Sequence, residues 1–417
     1  MPTVCLYFQI HQPFRLRKYS AFDADAHYFD DAMNAQLVRR IAERCYIPMN
    51  RLLLDLIRAH GGRFRLALSI TGTALEQFES YAPEVLQGLH ALALTRCVEF
   101  LGETFYHSLA SLHSETEFRA QVELHCRMIR RLFGQTPTVF RNTELIYSNR
   151  IAALAADLGF RGILAEGWEP ALNNRSAAFI YRTMGGRALD DRAGPGSQGE
   201  SDAEGGEPER MLYLLLRNHR LSDAISYRFA DPRAPEYPLR EDKFAALVSQ
   251  IGGRLCNLFM DYETFGEHQL ESTGIFDFMR ALPGKLLEQN TFATPGELVG
   301  TDDIETAGEL DVPSAISWAD EARDLGAWMG NAMQQDALAQ FYGLEEKVKA
   351  RGDPRLLADW RKLSTSDHFY YMSTKEKADG GVHTYFRPYD SPYDAYINYM
   401  NVLDNLAVRC ATAEPVA

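Results

Sequence analysis

The chain holds 417 residues, 46% of them hydrophobic and 24% charged, with a net charge of −14 and an isoelectric point near 5.3. That length and apolar fraction suit a large core, arranged as two or three domains or as one α/β barrel with an addition. The acidic balance, without any run of Lys and Arg, argues against a nucleic-acid-binding face and suits a neutral ligand.

The first strand is expected at 4–10, a β-prone run that stops at His11-Gln12-Pro13-Phe14. The opening residues lack both a basic start and a long apolar segment, so neither a signal peptide nor a membrane span is expected. Residues 34–59 read as a helix with Leu52, Leu53, Leu56 and Ile57 on one face, ended by Gly61-Gly62. A second strand at 64–70 runs into Thr71-Gly72-Thr73. A helix near 83–94 leads to a third strand at 97–101, which ends in Gly102-Glu103-Thr104-Phe105-Tyr106-His107. Residues 115–133 form a strongly amphipathic helix, and a short strand at 138–140 then meets Arg141-Asn142-Thr143-Glu144-Leu145-Ile146-Tyr147. A helix at 149–158 precedes the apolar run that ends in Glu166-Gly167-Trp168. Strands and helices alternate, and the strands end in polar residues, which predicts a parallel α/β barrel with its site at one mouth.

Residues 186–210 are rich in Gly and acids and cannot build a core. They are expected to form a mobile insertion, with a substrate lid as the alternative. A strand at 211–216 and a helix at 241–252 follow. The apolar run 254–260 then breaks off at Asp261-Tyr262-Glu263-Thr264-Phe265-Gly266-Glu267-His268, where a buried strand opens onto a surface. Residues 270–290 read as helical. Pro and acidic residues at 301–313 mark a linker to a helical part with helices near 319–351, 353–365 and 391–410. The expected division is thus a barrel over 1–300 and a helical domain over 301–417.

The six cysteines are scattered without a C-x-x-C pair, which argues against a zinc cluster or a disulfide framework and fits a reducing cytoplasm. Neither a G-x-S-x-G elbow nor a P-loop is present. His11, His107 and His268 stand at strand ends but show no metal-ligand spacing, so no metal and no cofactor are expected. His11 taken alone is equally compatible with a structural histidine. Paired carboxylates on different strand ends remain: Glu144 with Asp261 or Glu263, in competition with Glu103 and Glu166. Two carboxyl groups flanking one bond is the arrangement that glycoside hydrolysis needs. Trp168, Trp318 and Trp328 are candidate sugar-stacking platforms or core residues.

Together these motifs resemble glycoside hydrolase family 57. The resemblance runs over most of the chain in five ordered segments. His11-Gln12-Pro13 resembles the first, and Gly102 to His107 the second. Asn142-Thr143-Glu144-Leu145-Ile146-Tyr147 resembles the nucleophile segment, and Asp261-Tyr262-Glu263-Thr264-Phe265-Gly266 the acid/base segment. Thr365-Ser366-Asp367-His368-Phe369 resembles the fifth. The resemblance implies an incomplete (β/α)7 barrel followed by a C-terminal helical bundle that completes the cleft. It also implies retention of configuration on α-1,4-glucans without a metal. It puts the nucleophile on Glu144 and the acid/base on Asp261. His11, Gln12, His107, Glu263, Trp318, Asp367 and His368 are then expected in the substrate site. The family's Trp two or three residues before the nucleophile is missing, since this chain has Phe140-Arg141-Asn142 there. The chain is also shorter than the glucanotransferases and branching enzymes of the family. The expected activity is α-amylase-like hydrolysis of an α-glucan or maltooligosaccharide. Glucanosyl transfer or branching through the same intermediate is the alternative. A metal-dependent deacetylase and a non-catalytic glycan binder are more distant rivals. Nothing in the sequence speaks to the oligomeric state.

Overall fold

A computed structural model describes residues 1–184, 212–300, 304–375 and 388–412; the expected insertion at 186–210 lies outside them. Strand β1 (Thr3–Ile10) is flanked in parallel by β2 (Leu66–Ile70) and β8 (Leu255–Asp261), and β3 (Val98–Phe100) pairs with β2. A second group joins β4 (Val139–Arg141), β5 (Gly162–Glu166) and β7 (Tyr213–Arg217) in parallel. Strand β6 (Tyr181–Thr183) runs antiparallel to β7. The short β9 (Thr291–Phe292) adds to β1, and β10 (Glu309–Leu310) to β6.

Two seams close these groups on each other. At the first, Gly102 donates to Val139 O at 2.9 Å and Arg141 N–H donates to Gly102 O at 2.8 Å. At the second, Asn218 N–H donates to Asn257 O at 2.9 Å, and the Asn257 side chain donates to Leu216 O at 2.8 Å. Strands β1, β2, β3, β4, β5, β7 and β8 therefore circle one axis, and the fold is a (β/α)7 barrel. Side chains alternate along a strand, so every second residue points inward. Cys5, Tyr7, Ala67, Leu101, Val139, Leu164, Leu215 and Phe259 fill the interior as one buried cluster. The next inward step toward the C-terminal ends is polar on all seven strands: Gln9, Ser69, Glu103, Arg141, Glu166, Arg217 and Asp261. The site sits where the barrel changes from apolar to charged.

The first helix begins one turn earlier than the expected 34–59. Asp31–Ile41 is capped by the Asp30 side chain on Met33 N–H, passes through a π-turn at Ala42–Tyr46 and continues as Ile47–Ala59. Among the described residues, two helices of eight or more residues escaped the sequence reading, Gly72–Tyr81 and His219–Ser226. Each starts directly behind a strand, and the polar residue that follows the strand, Thr71 or Asn218, is its N-cap. The stretch expected to be a linker contributes β10, with Leu310 and Val312 buried. Residues 319–325, expected to be helical, form a loop. Helices then cover Gly326–Met329, Ala332–Gly343, Glu345–Arg351, Pro354–Leu363, Ser366–Tyr370 and Pro392–Thr412. These do not keep a core to themselves. Phe140, Ile163 and Leu214 from the outside of the barrel share one buried cluster with Phe341, Trp360 and Tyr399. Among the described residues no helix is long and apolar enough to cross a membrane.

Candidate active site

Glu144 leaves β4 in a single tight turn, Thr143–Leu145, with φ 55° and ψ 28°. The next residue, Leu145, is also left-handed at φ 50°. Two successive non-glycine residues in that region persist only when their surroundings hold them. The hold is visible: Thr143 Oγ1 donates to Ser108 O at 2.7 Å, and Asn142 Nδ2 donates to Ile146 O at 2.9 Å. The turn aims the carboxyl into the barrel mouth. One oxygen lies 2.8 Å from His107 Nε2, and the other accepts from Trp318 Nε1 at 2.7 Å. Burial works against ionisation there. The His107 hydrogen bond and charge, the Arg141 charge and the Trp318 N–H overcome it and hold the carboxyl at about 2.

His107 is itself left-handed, at φ 52°. Burial would drive its ring neutral, but Glu103 and Glu144 on either side push it up to about 9. Its Nδ1 lies 3.7 Å from Glu103 Oε2. Glu103 is fully buried, accepts from Gln9 Nε2 at 3.3 Å and from the Ser69 hydroxyl, and is lowered by its cationic neighbours despite burial. His11 stacks on His107 with ring centroids 4.0 Å apart. It bridges Thr71 Oγ1 at 3.0 Å and Asp367 Oδ2 at 2.9 Å, and burial together with the His107 charge lowers it.

Asp261 ends β8 and faces the same cavity as Glu144. Burial first and the Glu144 charge second raise it to about 6, against the pull of Arg141, Arg217 and His107. Two residues on, burial and the Asp261 charge push Glu263 to about 8, and its carboxyl accepts the Tyr46 hydroxyl. Tyr46 comes from the π-turn and accepts from Gln12 Nε2 at 3.0 Å. Gly266, which ends this segment, has φ 111°, and a Cβ there would stand 2.1 Å from Arg44 O. The D-Y-E-T-F-G run needs its glycine because the turn presses against the π-turn that carries Tyr46.

The cavity brings together His11, Gln12, His107, Glu144, Asp261, Glu263 and Asp367 of the expected site residues. His368 turns away: it is 2% exposed and lies 5.7 Å from the Tyr399 ring, among the C-terminal helices. Trp318 is at the site but not as an open platform. Its indole edge is spent on Glu144, and the Arg141 and Arg217 guanidiniums lie 5.1 and 5.4 Å from its ring. Trp328 lines the cavity, while Trp168 packs against the barrel's outer core. Glu166 is held by Arg217 at 3.1 Å and Arg323 at 3.4 Å. The sequence reading missed Arg141, Arg217, Arg323 and Tyr46. Strand alternation pointed to Arg141 and Arg217, since both occupy the last inward position of their strands. Nothing in the sequence pointed to Tyr46, which reaches Glu263 across 217 residues. Among the described residues no group of three His, Cys, Asp or Glu side chains is arranged to hold a metal ion.

The sequence model of glycosyl hydrolase family 57 matches residues 5–313. The chain is 37% identical over 410 residues to a Methanocaldococcus jannaschii protein named "Putative alpha-amylase", covering 95% of this chain and 82% of that one. The chain belongs to glycosyl hydrolase family 57. Its fold is that of solved members. A branching enzyme of Pyrococcus horikoshii superposes with a TM-score of 0.65 at 14% identity, over 100% of this chain and 98% of the other. A 4-alpha-glucanotransferase of Thermococcus litoralis gives 0.63 at 13% identity, over 99% of this chain but 59% of the other. The five segments read from the sequence fall at strand ends of the barrel and, for the fifth, on the helix Ser366–Tyr370.

Proposed function

We propose that the protein is a retaining glycosidase acting on α-1,4-glucans, with Glu144 as nucleophile and Asp261 as general acid and base. One observation carries this reading. Two carboxyl groups from different strand ends line one cavity in opposed environments, Glu144 held ionised at about 2 and Asp261 held protonated up to about 6. Pairs pushed apart in this way divide the roles of nucleophile and acid. Glu144 attacks the anomeric carbon while Asp261 gives its proton to the departing glycosidic oxygen. The ester that forms no longer carries the Glu144 charge, which is the second cause of Asp261's raised pKa. Asp261 then becomes a stronger acid, releases its proton more readily and can serve as the base that activates water. His107 and the Trp318 N–H stabilise the Glu144 carboxylate as it departs in the second step. Glu263, protonated and tied to Tyr46, stays outside the proton transfer. Residues 301 onward complete the cleft, through Asp367 and Trp328 in the wall and Trp318 on Glu144. The names of the relative and of the structural neighbours support an α-glucan or maltooligosaccharide as substrate. We assign hydrolysis, with transfer to a second sugar differing only in the acceptor; sizing the products of maltoheptaose separates the two. Six cysteines without disulfide partners support a cytoplasmic setting.

Azide trapping tests the roles. Asp261→Asn with an activated aryl α-glycoside is expected to accumulate a glycosyl-enzyme that azide converts to an α-glycosyl azide. Glu144→Ala is expected to lose several orders of magnitude in turnover and to give a β-glycosyl azide by direct attack on the vacated face. If azide instead rescues Glu263→Gln, the acid/base assignment moves two residues along.

A further inference from the structure

The cavity holds a positive charge that this chemistry leaves unused. Arg15 is 2% exposed and lines the cavity wall formed by the segment after β1. Its guanidinium donates to Gln12 Oε1 at 3.3 Å and Pro13 O at 3.4 Å, both long, and its Nε–H has no acceptor. No carboxylate among the described residues pairs with it. The acids around it are committed elsewhere: Asp367 to His11, Glu144 to His107, Glu263 to Tyr46. Tyr371 lines the same cavity, and its buried hydroxyl also lacks a partner. Burial and then the Asp367 charge push that hydroxyl's pKa up, and the Arg15 charge pulls against them. Arg141 likewise lacks hydrogen-bond partners, but its charge acts on Glu144 and Asp261 and belongs to the site above.

A buried guanidinium without a counter-charge is costly, and a neutral hydroxyl satisfies one donor without relieving the charge. A phosphate or carboxylate relieves both, because its oxygens match the guanidinium fork and can also accept a phenol O–H. We propose that Arg15 and Tyr371 form an anion-accepting subsite on the cavity wall, which takes a phosphate monoester or carboxylate carried by the glucan chain. The proposal rests on the α-glucan reading and narrows it to chains bearing an anionic substituent.

The test compares maltoheptaose with a maltooligosaccharide of similar length phosphorylated at one O6. The phosphorylated chain is expected to show kcat/KM about tenfold or more above the neutral one, mostly through KM, a margin set by charge-assisted hydrogen bonds and reduced by salt. Arg15→Gln is expected to erase the margin. Tyr371→Phe, which removes one oxygen, is expected to shrink it several-fold and carries the test if Arg15→Gln does not fold. Equal kcat/KM for the two chains in the unmodified enzyme, or a margin that survives both substitutions, overturns the proposal. If neither chain is turned over, the catalytic reading has failed, and the ratio of dissociation constants of the two chains by calorimetry judges the subsite instead. Stabilisation by inorganic phosphate alone, with no preference for the phosphorylated chain, would mean a free-anion site and also refutes the glucan-borne substituent.

Discussion

Glu144 and Asp261 show how little of a residue's chemistry lies in its side chain. Both are carboxylic acids at strand ends of one barrel. Glu144 meets a protonated imidazole and an indole N–H, whereas Asp261 meets burial and the Glu144 charge. On the proposed roles Glu144 must be ionised and Asp261 protonated, so kcat/KM is expected to hold between about 2 and about 6 and to fall as pH rises through Asp261's value of about 6. Replacing Glu144 by Gln removes one cause of that elevation, and carboxyl NMR of Glu144→Gln should show Asp261 titrating at lower pH. An unchanged Asp261 titration would leave burial as the sole cause. At the other end of the barrel, Glu99 accepts Gly296 N–H at 2.7 Å, and burial lifts it from 4.5 to about 7. The folded protein therefore keeps a proton that the unfolded chain has already lost, and this costs stability increasingly as pH rises from about 4.5 to about 7. Glu99→Gln is expected to gain stability over the parent across that window and to show little gain below it, by denaturant titration at several pH values.

At the scale of elements, the site depends on turns more than on strands. The π-turn Ala42–Tyr46 presents Tyr46 to Glu263 and Cys45 Sγ to Tyr262 O at 3.2 Å. The 319–325 loop is pinned by Arg323 between Glu166 and the Trp318 carbonyl, which holds the Trp318 indole on Glu144. Gly266 ties the acid/base segment to the π-turn. Gly266→Ala would place a Cβ 2.1 Å from Arg44 O at a φ of 111°. A loss of about 2 kcal/mol or more is expected, read as a lowered thermal midpoint, because neither backbone can yield without moving Tyr46. A neutral outcome would mean that the two turns separate at little cost. The helices Gly72–Tyr81 and His219–Ser226 carry a related lesson. Their N-caps Thr71 and Asn218 resemble strand-end loop residues, since a cap and a turn call for the same side chains.

For the whole molecule, the barrel and the C-terminal helices share apolar surface. Phe341 and Trp360 stack with ring centroids 4.8 Å apart inside a cluster that also holds Phe140, Ile163 and Leu214 of the barrel. Strand β10, from beyond residue 300, pairs with β6. A chain ended at residue 300 would leave that barrel face uncovered. It is expected to aggregate or to melt well below the full chain, and the full chain to melt in one calorimetric transition. A truncated chain that folds with the parent's midpoint would show residue 300 to be a boundary between independently folding units.

The sequence by itself determined the alternation of strand and helix and the polar strand ends. These follow from local patterns: period-2 burial, glycine punctuation and the abrupt arrest of an apolar run at a charge. Those patterns left several strand-end carboxylates in competition, and it was the five segments that mark the family which singled out Glu144 and Asp261. Only the tertiary structure decided that His107 stands between Glu103 and Glu144, and that Tyr46 caps Glu263. The same holds for Trp318, which serves Glu144 rather than an open face, and for His368, which lies outside the cavity although its neighbour Asp367 lines it. Each of these pairings except Glu103 with His107 joins residues far apart in sequence, and no periodicity encodes them. They arise because seven strands converge on one mouth, where desolvation makes every charge answer to its neighbours.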